Sequence, residues 1–199
     1  HAYQEALGRR GIKAAQILLT PDDTEVKRRF LNARGTLEKL IEHDVVPVIN
    51  ENDTVATDEL RYGDNDRLAA RVAQTVMADG LILLSDVDGF YTSDPRSNAA
   101  AIYMDVVDSI SEEHMQMAGN SATATGSGGM HTKLQAARIA THAGCATIIA
   151  SGALERPLRA LYDGGRHTVF PAAESPAAAR KQWLAGVLEV AGELRLDEG

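Results

Sequence analysis

Two short polar clusters, Asn50-Glu51-Asn52-Asp53 and Gly63-Asp64-Asn65-Asp66, carry the side chains best suited to holding a small zwitterion. Carboxylates take an ammonium group, while side-chain amides and the backbone N–H groups at a helix start take a carboxylate. A free amino acid carries both. The first cluster directly follows Val45, Val46, Val48 and Ile49, a β-branched run that reads as a strand buried on both faces, as in a parallel sheet. Open α/β sheets place their ligand crevices at the carboxyl ends of such strands. The second cluster caps an amphipathic helical run over residues 68–76. Asn, Asp and Gly are also the ordinary residues of turns and caps, and for Asp64 or Asn65 alone capping is the simpler reading. The joint pattern of strand, polar tetrad, return loop and second tetrad is longer than a simple connection needs.

A different chemistry is suggested by residues 119–129, rich in Gly, Ser, Thr and Ala, which lead into a helix predicted over residues 130–143. A glycine loop opening a helix offers closely spaced backbone N–H groups and a positive helix end, the requirements of a phosphate cradle. Lys133, one turn into that helix, adds a full positive charge. The segment is no Walker A loop, and no Gly-x-Gly-x-x-Gly follows a strand; alone, it weighs equally as a linker. Asp86-Val87-Asp88-Gly89 has the start of a calcium loop, but Phe90 stands where a ligand belongs and no closing Glu follows. None of the six histidines has metal-ligand spacing.

These clusters need a scaffold, and the remaining pattern supplies one. Strands are expected over residues 14–19, 45–49, 81–84, 146–150 and 168–170. Helices are expected over 3–10, 24–43, 68–76, 109–117, 130–143 and 154–162, with a short strand or hairpin within 101–107. The strands ending at Asn50 and Ser85 are expected to be parallel neighbours, joined by a right-handed crossover through the intervening helix. Residues 180–184 and 193–196 are read as terminal strands. The 199 residues fit one domain with one sizeable core. A hydrophobic fraction of 44% with 24% charged residues is ordinary for a globular chain and sets disorder aside. No apolar run is long enough to span a bilayer, and a net charge of −8 argues against a nucleic-acid surface. The single Cys145 lies in an apolar strand and reads as a packed, inert thiol. The absence of an initiator Met, and a start that reads like the middle of a helix, give the chain the look of a fragment.

The motifs Val-Ile-Asn-Glu-Asn-Asp (residues 48–53) and Gly-Asp-Asn-Asp (63–66), the run from Leu83 to Arg96, and Gly-Ser-Gly-Gly-Met-His-Thr-Lys (126–133) together resemble the amino acid kinase family. Within it they resemble the members that phosphorylate the side-chain carboxylate of L-glutamate at the start of proline biosynthesis. The likeness runs over nearly the whole chain. It implies an α/β fold, a three-layer αβα sandwich around a mainly parallel open sheet, with the amino acid held on one half and ATP on the other. Residue by residue, it carries Asn50, Asp53, Asp64 and Asn65 onto the glutamate site. It carries Ser85, Asp86, Ser127, Gly128, Gly129, Met130, His131, Thr132 and Lys133 onto the nucleotide site. Lys133, facing the phosphates, and Asp66, beside the glutamate positions, are the catalytic candidates. No protein nucleophile or strong base is needed, since a carboxylate is already ionised at neutral pH. Mg²⁺ is expected with ATP, held mostly by phosphate oxygens and water, so no protein metal ligand is assigned.

The resemblance further implies residues 1–170 as a kinase domain lacking the family's first strand and glycine loop, and residues 171–199 as terminal strands and linker toward a small C-terminal domain. A cytoplasmic setting, a homo-oligomer and feedback by proline belong to the same expectation, with no membrane and no nucleic-acid partner. An acetylglutamate kinase is the nearest rival; its neutral acetylated amine gains less from facing Asp53 and Asp64 than a free ammonium does. An amino-acid-sensing module without phosphoryl transfer is the rival from another class, opposed by the intact glycine loop with Lys133.

Overall fold

The computed structural model describes residues 2–52, 64–119 and 129–173. In chain order the elements are α1 (Ala2–Gly8), β1 (Lys13–Leu19), α2 (Asp22–Glu25), α3 (Lys27–Glu42), β2 (Val45–Glu51), α4 (Asn65–Val76), β3 (Gly80–Ser85), β4 (Phe90–Tyr91), β5 (Tyr103–Met104), α5 (Glu112–Met117), α6 (Met130–His142), β6 (Ala146–Ser151), α7 (Pro157–Tyr162) and β7 (His167–Phe170). Strand pairing is mostly parallel in an α/β arrangement, as the pattern of apolar strands alternating with amphipathic helices implied. β1 pairs parallel with β2, and β3 pairs parallel with β6, which in turn pairs antiparallel with β7. The short β4 and β5 form an antiparallel ladder of their own.

This order corrects one expectation. The strands ending at Asn50 and Ser85 are not hydrogen-bonded neighbours among the described residues: β2 pairs with β1, and β3 with β6. Chain order through a helix specifies handedness and direction but not adjacency, because one intervening position in the sheet satisfies the same crossover. What joins the two sheets is α4. Its Leu68 packs with Leu19, Ile17, Ile49 and Val72 against the β1–β2 pair, whereas its Ala70 and Ala73 belong to the larger core of Leu83, Phe90, Leu134, Ile149 and Phe170.

Smaller departures have local causes. The helix expected over residues 24–43 is two helices, broken not at Gly35 but at Val26, whose backbone is extended (φ −85°, ψ 117°). Gly35 lies inside the helix with nothing within 4 Å of the Cβ it lacks, so there it carries only its propensity cost. Sequence reading missed β4, since two residues are too few to show alternation. Terminal strands over 180–184 and 193–196 lie outside the described residues. Cys145 is 1% exposed, and burial, reinforced by the negative charge of Asp79, pushes its thiol up to about 11, an inert group as expected.

One buried hydroxyl fastens the β4–β5 ladder to the main sheet. Thr168 of β7 is fully buried; its Oγ1 accepts from the Phe90 N–H at 2.7 Å and donates to the Met104 carbonyl at 2.6 Å. Gly89 makes this approach possible, for a Cβ there would lie 2.8 Å from that hydroxyl and 2.9 Å from the Tyr103 ring. Thr168→Val keeps the shape but removes the partner of a buried N–H and of a half-buried carbonyl. At roughly 1–3 kcal/mol for an unsatisfied buried group and about 1 for the half-buried carbonyl, the variant should lose about 2–4 kcal/mol, read as a lowered denaturant midpoint with an unchanged slope.

Candidate functional site

The glycine loop's helix and the helix opened by the second polar cluster meet at a salt bridge. Small side chains bring them together: Ala70 and Ala73 of α4 share the core with Ala136, Ala137 and Ala140 of α6, all at most 5% exposed. With the helices this close, Lys133 Nζ lies 2.9 Å from Asp66 Oδ2, and the two side chains are only 10% and 15% exposed. The Thr132 hydroxyl lies 3.0 Å from the same carboxylate oxygen and 2.8 Å from the Gly129 carbonyl, sharing its proton between them. A lysine so placed keeps its position only because the carboxylate offsets its desolvation.

Asp64 stands one residue before α4 in extended geometry (φ −153°, ψ 151°), and its carboxylate accepts from the Arg67 N–H at 2.6 Å. Burial raises its carboxyl above the ordinary value; the negative charge of Asp66 adds to this, against the lowering effects of that N–H and of Arg67 and Lys133. Capping and ligand binding were alternatives for Asp64 in the sequence, and the structure shows the cap. Asn65, the first residue of the helix, is exposed.

A cavity of about 330 Å³ opens beside the Asp66–Lys133 pair, lined by Ser85, Asp86, Gly129, Met130 and Lys133 together with Tyr91, Asp94 and Arg96. That volume is at the lower end of small-ligand sites. Ser85 and Asp86 arrive from the end of β3, where the Gly152 N–H donates to the Ser85 carbonyl at 2.7 Å and fixes the neighbouring end of β6. The Ser85 hydroxyl donates to Asp86 at 3.1 Å. Burial works against ionising Asp86, but the Ser85 hydroxyl and the Arg96 guanidinium outweigh it and hold the carboxyl below its ordinary value. At the other wall the N-cap of α6 is Gly129, which has no side chain to cap the helix.

The structure therefore gathers Ser85, Asp86, Gly129, Met130 and Lys133 around one cavity and joins Asp66 to them through Lys133. Asp64 is close enough to feel both charges. Asn50 is not brought to that cavity; its amide donates to the Glu51 carbonyl at 3.4 Å. Thr132 and His131 sit just outside it, Thr132 on Asp66 and the His131 ring against Gln135 at 3.1 Å. Asp53, Ser127 and Gly128 lie outside the described residues. Sequence reading assigned Tyr91, Asp94 and Arg96 no site role, although all three lie in the run from Leu83 to Arg96 that carries the resemblance; the available signal was their place shortly after the Ser85-Asp86 strand end. Among the described residues no three His, Cys, Asp or Glu side chains gather as metal ligands, and no helix is long and apolar enough to cross a membrane.

Comparison with known proteins follows the same lines. The model of the amino acid kinase family matches residues 1–151. Glutamate 5-kinase of Rhodopseudomonas palustris strain BisA53 is 56% identical over 197 residues, covering 99% of this chain and 52% of that protein. The glutamate 5-kinases of Bradyrhizobium diazoefficiens and Rhizobium etli are each 54% identical, covering 99% and 100% of this chain and 53% and 51% of their own lengths. The chain thus spans about half the length of the curated relatives it matches. Among solved structures, UMP kinase from Ureaplasma parvum aligns with a TM-score of 0.58 at 16% identity, over 85% of this chain and 65% of its own. An isopentenyl phosphate kinase aligns with a TM-score of 0.55 at 19% identity, over 83% and 62%. At such identities the two structures bear on the fold alone.

Two stability tests follow from the site. Asp66→Ala leaves Lys133 charged and nearly buried without a counter-ion, and should cost about 3–5 kcal/mol, measured by thermal unfolding. Asp64→Asn should act in the opposite direction. A carboxyl raised in the folded state makes the ionised form destabilising at neutral pH, a penalty that vanishes as pH falls through the folded value. Asn caps as well as Asp, so the variant should melt higher than the unsubstituted chain at pH 7 and lose that advantage toward pH 4.

Proposed function

The chain belongs to the amino acid kinase family, and on that footing we propose that it serves the reaction for which its curated relatives are named, transfer of the γ-phosphoryl group of ATP to the side-chain carboxylate of L-glutamate. The observation that carries this reading is the Asp66–Lys133 pair, 2.9 Å apart, because it ties a helix start suited to an amino acid to a helix start suited to phosphate. Phosphoryl transfer asks for alignment of donor and acceptor and for positive charge around the migrating group, not for a nucleophile on the protein. Lys133 at the cavity wall supplies the charge, and α6, which opens on Gly129, supplies backbone N–H donors from its first turn. Asp66 and Thr132 orient Lys133. On the acceptor side Asp64 faces the ammonium group of glutamate, with Asn50, Asp53 and Asn65 completing the pocket by resemblance.

Mg²⁺ belongs to this proposal as the ion that arrives on the nucleotide phosphates and lowers their negative charge. Residues 1–170 as the kinase domain and 171–199 as a linker toward a further small domain are part of the same reading, as are the cytoplasmic setting, assembly into a homo-oligomer and feedback by proline. Free glutamate is preferred over its N-acetyl form because an acetylated amine is neutral and leaves Asp64 without a charged partner.

The test uses steady-state kinetics of the full-length protein. Asp64→Asn removes one charge-assisted contact of roughly 1.5–3 kcal/mol and should raise the KM for glutamate about tenfold or more, with the KM for ATP unchanged. Lys133→Ala should instead lower kcat by about 10²–10³. A glutamate KM untouched by Asp64→Asn would remove Asp64 from the acceptor site.

A further inference from the structure

The mouth of the cavity holds an electrostatic contradiction that one residue resolves. A pocket for a polyphosphate is lined by two carboxylates, Asp86 and Asp94, and the lysine that faces them is already engaged by Asp66. Arg96 lies between the two. Its Nη1 donates to Asp86 at 2.7 Å, its Nε to Asp94 at 3.0 Å and its Nη2 to Asp94 at 3.1 Å. The Arg96 backbone N–H donates to Asp94 as well, at 2.9 Å. Exposed ion pairs usually contribute little, but a bidentate arginine joining two carboxylates is the geometry in which they do. Arg166 is committed elsewhere, 3.7 Å from Asp88 and 5.0 Å over the Tyr103 ring, so it does not substitute for Arg96.

Resting on the nucleotide reading above, we propose that Arg96 is a positioning residue for the polyphosphate: it offsets part of the negative charge of Asp86 and Asp94 and holds both carboxylates aside, so that an anion can enter a cavity they would otherwise guard. Its action is through charge on the two carboxylates rather than through contact with the reacting atoms. Consistent with that, both carboxyls are held below their ordinary values, Asp94 chiefly by its hydrogen bonds from Arg96. Lysine would keep the charge without the fork, and glutamine would keep hydrogen bonding without the charge.

Calorimetric titration of the full-length protein with Mg-ATP separates these roles. Arg96→Ala and Arg96→Gln should both weaken ATP binding about three- to tenfold at low salt, whereas Arg96→Lys should stay within about twofold. Removing one of the stranded charges, in the double variant R96A/D94N, should recover most of the loss, and raising salt should narrow the gap between R96A and the unsubstituted protein. Unchanged binding in R96A overturns the proposal. So does a loss that neither lysine nor R96A/D94N relieves, because a purely structural role behaves that way. Failure of the unsubstituted protein to bind ATP at all overturns the nucleotide reading itself, and this inference with it.

Discussion

Close packing of α4 on α6 is the constraint from which the rest of the site follows. Two helices approach closely only where the facing side chains are small, and the alanines at 70, 73, 136, 137 and 140 meet that condition. The cost of such a contact is little apolar area per residue, so the larger side chains around it, Phe90, Leu134, Ile149 and Phe170, supply the remaining burial. Asp66 and Lys133 sit at the N-terminal ends of this contact. A larger residue where these alanines face the other helix would have to push the helices apart, and a shift of even one ångström would break a 2.9 Å ion pair.

α4 also decides how the two sheets relate. One stripe of the helix is built of Leu68 and Val72 for the β1–β2 pair and another of Ala70 and Ala73 for the β3–β6–β7 sheet. A helix that serves two sheets has apolar residues around more than half its circumference, leaving Arg67, Arg71 and Gln74 to carry the polar side. Arg71 reaches Glu25 at 3.6 Å and the Gln74 side chain at 3.1 Å, so this face is tied down as well. The helix ends at Met77 in left-handed geometry (φ 52°, ψ 52°), with the Ala78 N–H returning to the Ala73 carbonyl at 2.9 Å. Ile82, Leu84 and Val46 remain more than 40% exposed on strands of the two sheets, apolar surface that the described residues leave uncovered.

Most strand and helix identities, the apolar strands ending in polar residues, and the presence of one polar and one glycine-rich helix start were legible in the residues themselves. Periodicity and capping are local, set by side-chain size, branching and hydrogen bonding within a few positions. The motif blocks were long enough to indicate the family, and with it the identities of most candidate side chains. Three features were decided only in three dimensions. Sheet adjacency depends on which edges pair after collapse, so β2 and β3 are not neighbours despite following one another through a helix. The ion pair of Asp66 with Lys133 joins residues 67 positions apart, and nothing in either segment names the other. Arg96 has no visible role in the residues alone until the fold sets it against Asp86 as well as its neighbour Asp94, because charge compensation depends on distances that chain position does not specify.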